Sequence, residues 1–449
     1  MTRRLRLAPS LLLAGSLTLG LAACSGVPTT APSTGVTTTG GSRPPSVPTP
    51  ATSQSSTTAV GHQTSTPASS PPGSASASRT SPPSTAHSSG ASTPPASTAP
   101  GQRPTPPSAC RQVVDQMTAR QQAGQLLMMG VNGAPVSDDQ LAVMERYQVG
   151  SAVLLGSWDG ASQVRASTSR LTGLNMAVPV VVAADQEGGS IQRLQGPGLP
   201  PIPSARAQGT LTPAQLTSNW TKWGGQMTAV GVRYDLAPVA DVVPADKLTT
   251  NEPIGRLGRN YATTSSQAAP LVAGVVTGLD RAGVASSLKH FPGLGQVTSN
   301  TDFAAATDTT IARDDAGLAV FRAGIRAGAS SVMISSAFYT RIDPDNQAVF
   351  SSTVITGMLR GDLGFRGVVI SDDLGAAASV QGVPSGQRAV RFVEAGGDLV
   401  VNANPQTIGT MSNALVGRAQ SSYRFRQRLA QSATRVVELK QSLGLVRCG

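Results

Sequence analysis

Gly367-Val368-Val369-Ile370-Ser371-Asp372-Asp373 is a short run of β-branched residues that stops at two carboxylates. The run lacks the polar alternation of a half-exposed strand, so it reads as a strand covered by protein on both faces. Val180-Val181-Val182-Ala183-Ala184-Asp185 repeats the pattern earlier in the chain. Strand candidates lie at 125–131, 150–156, 178–185, 233–242, 284–292, 330–335, 367–372 and 397–403. Helical patterns lie at 138–147, 162–175, 213–230, 265–282, 314–327, 352–363, 385–395 and 425–443. Strands alternating with helices imply right-handed βαβ units and a parallel sheet. An open doubly wound sheet also alternates, but no Gly-rich phosphate loop follows the first strand. Eight repeats in the 340 residues 110–449 therefore predict an α/β fold, a single (β/α)8 TIM-type barrel domain.

A barrel gathers catalytic groups at the C-terminal ends of its strands. Asp185 follows the third candidate, Asp241 ends the fourth, and Lys289 and His290 come late in the fifth. Ser335 and Ser336 end the sixth, Asp372 and Asp373 the seventh, and Asn402 lies near the end of the eighth. One Asp at a strand end is more often a cap than a catalyst. Several such ends meeting at one mouth suit sugar chemistry, with carboxylates at the anomeric centre and charged groups on the hydroxyls. No Cys/His cluster has metal-ligand spacing, so no metal or cofactor is expected. Trp220 and Trp223, at i and i+3 of a helix, read as packing residues.

Four ordered segments carry a more specific signal. Lys289-His290-Phe291-Pro292-Gly293-Leu294-Gly295 resembles the Lys-His-Phe-Pro-Gly-His-Gly signature of glycoside hydrolase family 3, β-N-acetylhexosaminidase branch. Asp185-Gln186-Glu187-Gly188-Gly189-Ser190-Ile191-Gln192-Arg193, Ala237-Pro238-Val239-Ala240-Asp241-Val242 and Ile370-Ser371-Asp372-Asp373-Leu374 resemble three further blocks of that family. The resemblance implies that Asp372 is the nucleophile. It also implies that Asp185, Arg193, Arg259, Lys289 and His290 hold the sugar, with Glu187 and Asp241 in support. Asp373 reads as a cap or second acceptor rather than a catalyst. The implied activity is retaining hydrolysis of terminal β-linked N-acetylglucosamine, for which fragments of peptidoglycan are the expected source.

The chain departs from the family at the proton donor. An Asp-x-His pair belongs in the loop after the fifth strand, and Asn300-Thr301-Asp302 stands there instead. The three histidines are His62, His87 and His290, so none replaces it within the barrel. Leu294 replaces the signature's second histidine, Ser336 stands where relatives often have another, and Ser190 replaces an arginine. A retaining glycosidase needs a nucleophile and a proton donor, typically carboxyls about 5–5.5 Å apart. Asp302 is the candidate donor if its surroundings raise its pKa. The alternatives are a weakened or inactive relative that binds cell-wall sugar, and a scaffold on a borrowed barrel.

Outside the barrel the composition changes. Residues 25–109 contain no Asp, Glu, Lys or aromatic residue and are dominated by Ser, Thr, Pro, Ala and Gly. Such a segment has too little apolar surface to offset the entropy of ordering, so 24–109 is expected to be a disordered linker. The net charge of +11 includes six arginines before residue 110; the remaining 29 basic and 24 acidic residues leave +5. That balance, without basic clusters interleaved with aromatics, argues against a nucleic-acid partner. Arg3, Arg4 and Arg6 precede a Leu-rich uncharged stretch that ends in Leu21-Ala22-Ala23-Cys24. This is the layout of an export signal over 1–23, and its end resembles the lipobox of bacterial lipoproteins. Cys24 is thus expected to be lipidated, anchoring an extracytoplasmic, monomeric protein to the cell membrane. Cys110 and Cys448 are expected to pair in that oxidising setting, the alternative being two free thiols.

Overall fold

The structure, a computed structural model, describes residues 108–133 and 135–449. The expected export signal, the expected lipidation site Cys24 and the expected linker up to residue 107 lie outside the described residues.

Eight parallel strands form the barrel: β1 (Leu127–Asn132), β2 (Ser151–Leu155), β3 (Val181–Ala184), β4 (Tyr234–Asp235), β5 (Ala285–Phe291), β6 (Ser331–Ile334), β7 (Val368–Ser371) and β8 (Val400–Asn402). Each pairs with its chain neighbour from β1 to β7, and β8 pairs with β1. A parallel bridge between Ile370 and Leu399 closes the ring between β7 and β8. The eight strands expected from the sequence are all present.

β4 is much shorter than its candidate 233–242. Pro238 has no N–H to place in a ladder, so regular pairing stops before it. Irregular bonds carry the chain on: Ser287 N donates to Ala237 O at 2.8 Å, and Ala240 N donates to Lys289 O at 2.6 Å.

Helix starts follow local chemistry. Thr118 with Gln121, Ser137 with Gln140 and Thr212 with Gln215 each form reciprocal capping pairs. The expected helix 352–363 occurs as a π-helix, Thr353–Asp362. One helix was not expected. Ile408–Ser421 follows β8 and is the eighth helix of the outer ring, packed on Ser385–Ala395. The pattern at 425–443 belongs to an additional helix, Tyr423–Ser442.

That last helix closes the N-terminal end of the barrel. Val436, Leu439 and Leu443 join Met128, Val181, Tyr234, Met333 and Ile370 in the cluster that fills the barrel interior. Lys440 Nζ, fully buried, donates to Gln125 Oε1 at 2.6 Å and to Gly150 O at 2.7 Å. Cys110 and Cys448 are disulfide-bonded with their Cα atoms 4.8 Å apart, which ties this helix's end to the first one, Ala109–Asp115.

Asp398, fully buried just before β8, receives Arg360, Arg428 (3.4 Å) and Arg435 (3.1 Å) together with Val369 N and Ser432 Oγ. Burial, with Arg435 and Arg360 and against Asp398, lowers the Arg428 guanidinium to about 10. One carboxylate therefore holds three guanidinium groups at the closing seam. Asp398→Ala should lower unfolding stability by about 3–5 kcal/mol in urea titration, because it strands buried charge. Reduction of the disulfide, which closes a loop of 338 residues, should cost about 5 kcal/mol by the same measurement, the upper end for native disulfides.

Candidate active site

The C-terminal ends of the strands surround a cavity of about 690 Å³, a size typical of small-molecule sites. Asp185, Arg193, Arg259, Lys289, His290, Asp302 and Asp372 all line it. The structure thus brings every expected catalytic and sugar-binding side chain to one mouth. Their roles rest on chemistry that this geometry permits.

The floor is an ion cluster. Lys289 Nζ lies 2.7 Å from both Asp185 Oδ1 and Glu187 Oε1. Arg259 grips Glu187 with two parallel bonds, Nε to Oε2 at 2.8 Å and Nη2 to Oε1 at 2.7 Å. Burial alone would raise the Glu187 pKa, but Arg259 and Lys289 hold it well below the usual carboxylate range. Glu187 is consequently a fixed counter-charge that orients the two cations. Arg193 Nε is buried and makes no hydrogen bond within the described residues, leaving a donor for a ligand.

Local sequence explains the placement. In the segment 185–193, Gln186 and Gln192 serve structure: the Gln186 side chain donates to Leu194 O and accepts from Leu194 N, while Gln192 donates to Leu194 O and Pro200 O. Gly188 has φ +95°, and a Cβ there would meet Pro203 O at 2.3 Å. In the segment 289–295, a Cβ on Gly295 would meet Val242 O at 1.8 Å, so the loop after β5 lies directly on the loop after β4. The β5–β6 register slips by one residue between Leu288 and Phe291, and both Lys289 and His290 line the cavity.

Asp241, fully buried, positions His290. Its Oδ2 lies 2.7 Å from His290 Nδ1, and its Oδ1 accepts from His290 N and Leu294 N. An ionised carboxylate can only accept, so Nδ1 carries the proton in this arrangement. Asp235, which the sequence reading did not single out, lies beneath the floor and accepts from Gln186 N at 3.0 Å. Burial raises its pKa to about 8, leaving it mostly protonated at pH 7.

Asp372 sits at the end of β7. Burial first, and then the charges of Asp302 and Asp373, raise its pKa to about 6 against the pull of His290 and Lys289. Asp373 is a loop cap: its carboxylate accepts from the N–H groups of Gly375, Ala376, Ala377 and Ala403.

Asp302 is exposed and lies on a loop docked to the one that follows Asp372. Ala378 N donates to Asp302 O at 3.0 Å, and Ser379 N to Thr301 O at 3.2 Å. Ser379 is held in turn by the Ser336 hydroxyl at 3.0 Å and by Gln347 Nε2, which donates to its carbonyl at 2.9 Å. Ser336 therefore helps to position the Asp302 loop. Gln347 is a supporting residue that only the tertiary contacts reveal. Trp220 is buried, bonded to Gln208, and stands edge-on to Trp223 with ring centres 5.3 Å apart. No group of three or more His, Cys, Asp or Glu among the described residues could hold a metal ion.

Comparison with known proteins agrees with this geometry. Residues 118–439 match the model of the glycosyl hydrolase family 3 N terminal domain. A beta-hexosaminidase of Stenotrophomonas maltophilia is 32% identical over 311 residues, covering 66% of this chain and 88% of that protein. The crystal structure of a beta-N-acetylhexosaminidase from Beutenbergia cavernae superposes with a TM-score of 0.70 at 39% identity, covering 72% of this chain and 99% of the other. A glycoside hydrolase family 3 beta-N-acetylglucosaminidase from Paenibacillus superposes with a TM-score of 0.66 at 30% identity, over 73% of this chain and 63% of that one.

A nucleophile must be ionised, so if Asp372 fills the nucleophile role that the resemblance implies, its protonation should extinguish turnover as pH falls. The acid limb of kcat/KM should centre near pH 6, rather than near the roughly 4 of a free carboxyl. In Asp302→Asn, assayed on a substrate with a good leaving group, that limb should move to lower pH because one raising charge is gone. A limb near pH 4 in the parent would remove Asp372 from this role.

Proposed function

The chain belongs to glycoside hydrolase family 3, in its β-N-acetylhexosaminidase branch, and from that premise we propose a retaining hydrolase with Asp372 as nucleophile and Asp302 as proton donor. The observation that carries the proposal is the docking of the two loops. The backbone of Asp302 and Thr301 is bonded to Ala378 and Ser379, which holds the donor position at the cavity that Asp372 also lines.

Asp372 attacks the anomeric carbon while the glycosidic bond breaks, and Asp302 gives its proton to the departing oxygen. Ionised Asp302 then takes a proton from water as that water displaces Asp372, which regenerates both groups. Asp185, Lys289, Arg259 and Arg193 present charged donors and acceptors to the ring hydroxyls, and charge-assisted bonds of this kind are the strong ones. The substrate proposed is terminal β-linked N-acetylglucosamine on peptidoglycan fragments, met outside the cell by a protein anchored through Cys24. Cys24→Ser should accordingly move the protein from the membrane fraction to the medium.

Two aryl β-N-acetylglucosaminides, one with a good and one with a poor leaving group, test the chemistry. Asp372→Ala should abolish turnover of both. Asp302→Ala should slow the poor leaving group by at least about a hundredfold and the good one far less, with azide restoring breakdown of the intermediate. An ionised Asp302 repels anionic acceptors, so phosphate should not stimulate turnover. Undiminished cleavage of the poor leaving group by Asp302→Ala would move the donor to His290, the one imidazole in the cavity. Sugar binding by the parent with no turnover of either substrate would favour the binding-protein reading.

A further inference from the structure

Among the described residues only three large apolar side chains are exposed: Leu257 at 38%, Phe303 at 81% and Tyr423 at 71%. Two of them, Leu257 and Phe303, line the catalytic cavity. Exposed apolar surface beside a polar cleft commonly marks a ligand-binding surface. The loop does not present Phe303 by chance of a floppy segment. Asn300 Oδ1 accepts from Asp302 N at 3.0 Å, and Asn300 O accepts from Phe303 N at 3.1 Å and Ala304 N at 3.0 Å. With the bonds from Ala378 and Ser379, that turn is held on both sides.

Position identifies the occupant. Resting on the reading above, Asp302 must reach the oxygen that joins the cleaved sugar to its leaving group. Phe303 is the next residue and also lines the cavity, which puts it near whatever that oxygen carries. The floor of the cavity, by contrast, is ionic and suited to the hydroxyls of the sugar being cleaved. In a β-linked N-acetylglucosamine ring the substituents are equatorial and the axial C–H bonds leave both faces apolar, and an aromatic ring covers such a face well. We propose that Phe303, with Leu257, forms a leaving-group subsite that takes an apolar face of a second pyranose, making a β-linked disaccharide the preferred ligand over a monosaccharide.

The test measures binding in the full-length Asp372→Asn protein, so that turnover does not intervene. Calorimetric titration with N-acetylglucosamine and with its β-1,4-linked disaccharide should show the disaccharide binding about tenfold more tightly. Adding Phe303→Ala should erase that difference and leave monosaccharide affinity unchanged, and Phe303→Tyr should restore it. The side chain is exposed, so its removal leaves the packed core intact. Equal affinity for both sugars before the change, or equal losses for both after it, overturns the subsite while the catalytic reading stands. Failure to bind either sugar overturns both.

Discussion

Glu187 is ionised where water scarcely reaches it, and the mouth of the barrel is organised around that fact. A carboxylate moved out of water costs several kcal/mol unless it is paired and fully bonded. Here Arg259 and Lys289 supply the pairing, one from the loop after β4 and one from β5. Three successive segments of the barrel are thereby locked in register at their C-terminal ends. The cations are locked as well, since each is held by an acid beneath it while remaining beside the cavity. Asp185 shares Lys289, so the sugar-facing acid is itself oriented by the same centre.

The other half of the site is held differently. Asp373 is held by backbone N–H groups on its carboxylate, and the Asp302 loop by the Ser336, Gln347 and Ser379 connection behind Thr301, with no cation bonded in either among the described residues. At Asp372 burial raises the pKa most, His290 opposes it, and the charges of Asp302 and Asp373 add to it. An acid at the donor position acts differently in its two states: ionised, it raises the pKa of Asp372; protonated, it can give up a proton. A histidine there would do the second without the first.

The opposite end of the barrel carries a burden of its own. Asp398 compensates three arginines at the seam, and the helix Tyr423–Ser442 seals the interior. Its role was hidden in the sequence because a long amphipathic helix after β8 looks like the last helix of the ring. The true eighth helix, Ile408–Ser421, contains Gly409, Gly417 and several Ser, Thr and Asn residues, which lower helix propensity. Packing outweighs propensity there: Ile408, Met411, Leu415 and Ala419 form a buried stripe, and Gly409 admits the Tyr147 ring, whose hydroxyl oxygen would lie 2.6 Å from an added Cβ.

The amino-acid sequence by itself determined the eight strands, their parallel order and the strand ends at which polar residues gather. Continuous apolar runs and chirality leave few alternatives, and these are properties of short segments. The ordered motifs likewise identified Asp185, Arg193, Arg259, Lys289, His290 and Asp372 as candidates for one site. The resemblance also placed Glu187 and Asp241 in support, but only the tertiary structure decided what each one holds: cations or an imidazole supplied from dozens of residues away in the chain. The Asp235 pKa is raised by what encloses it, and Gln347 matters because of the turn it holds. Phe303 differs from any other loop aromatic only by where its loop is docked. Burial, pairing and exposure are properties of distant segments brought together, and no local pattern of residues contains them.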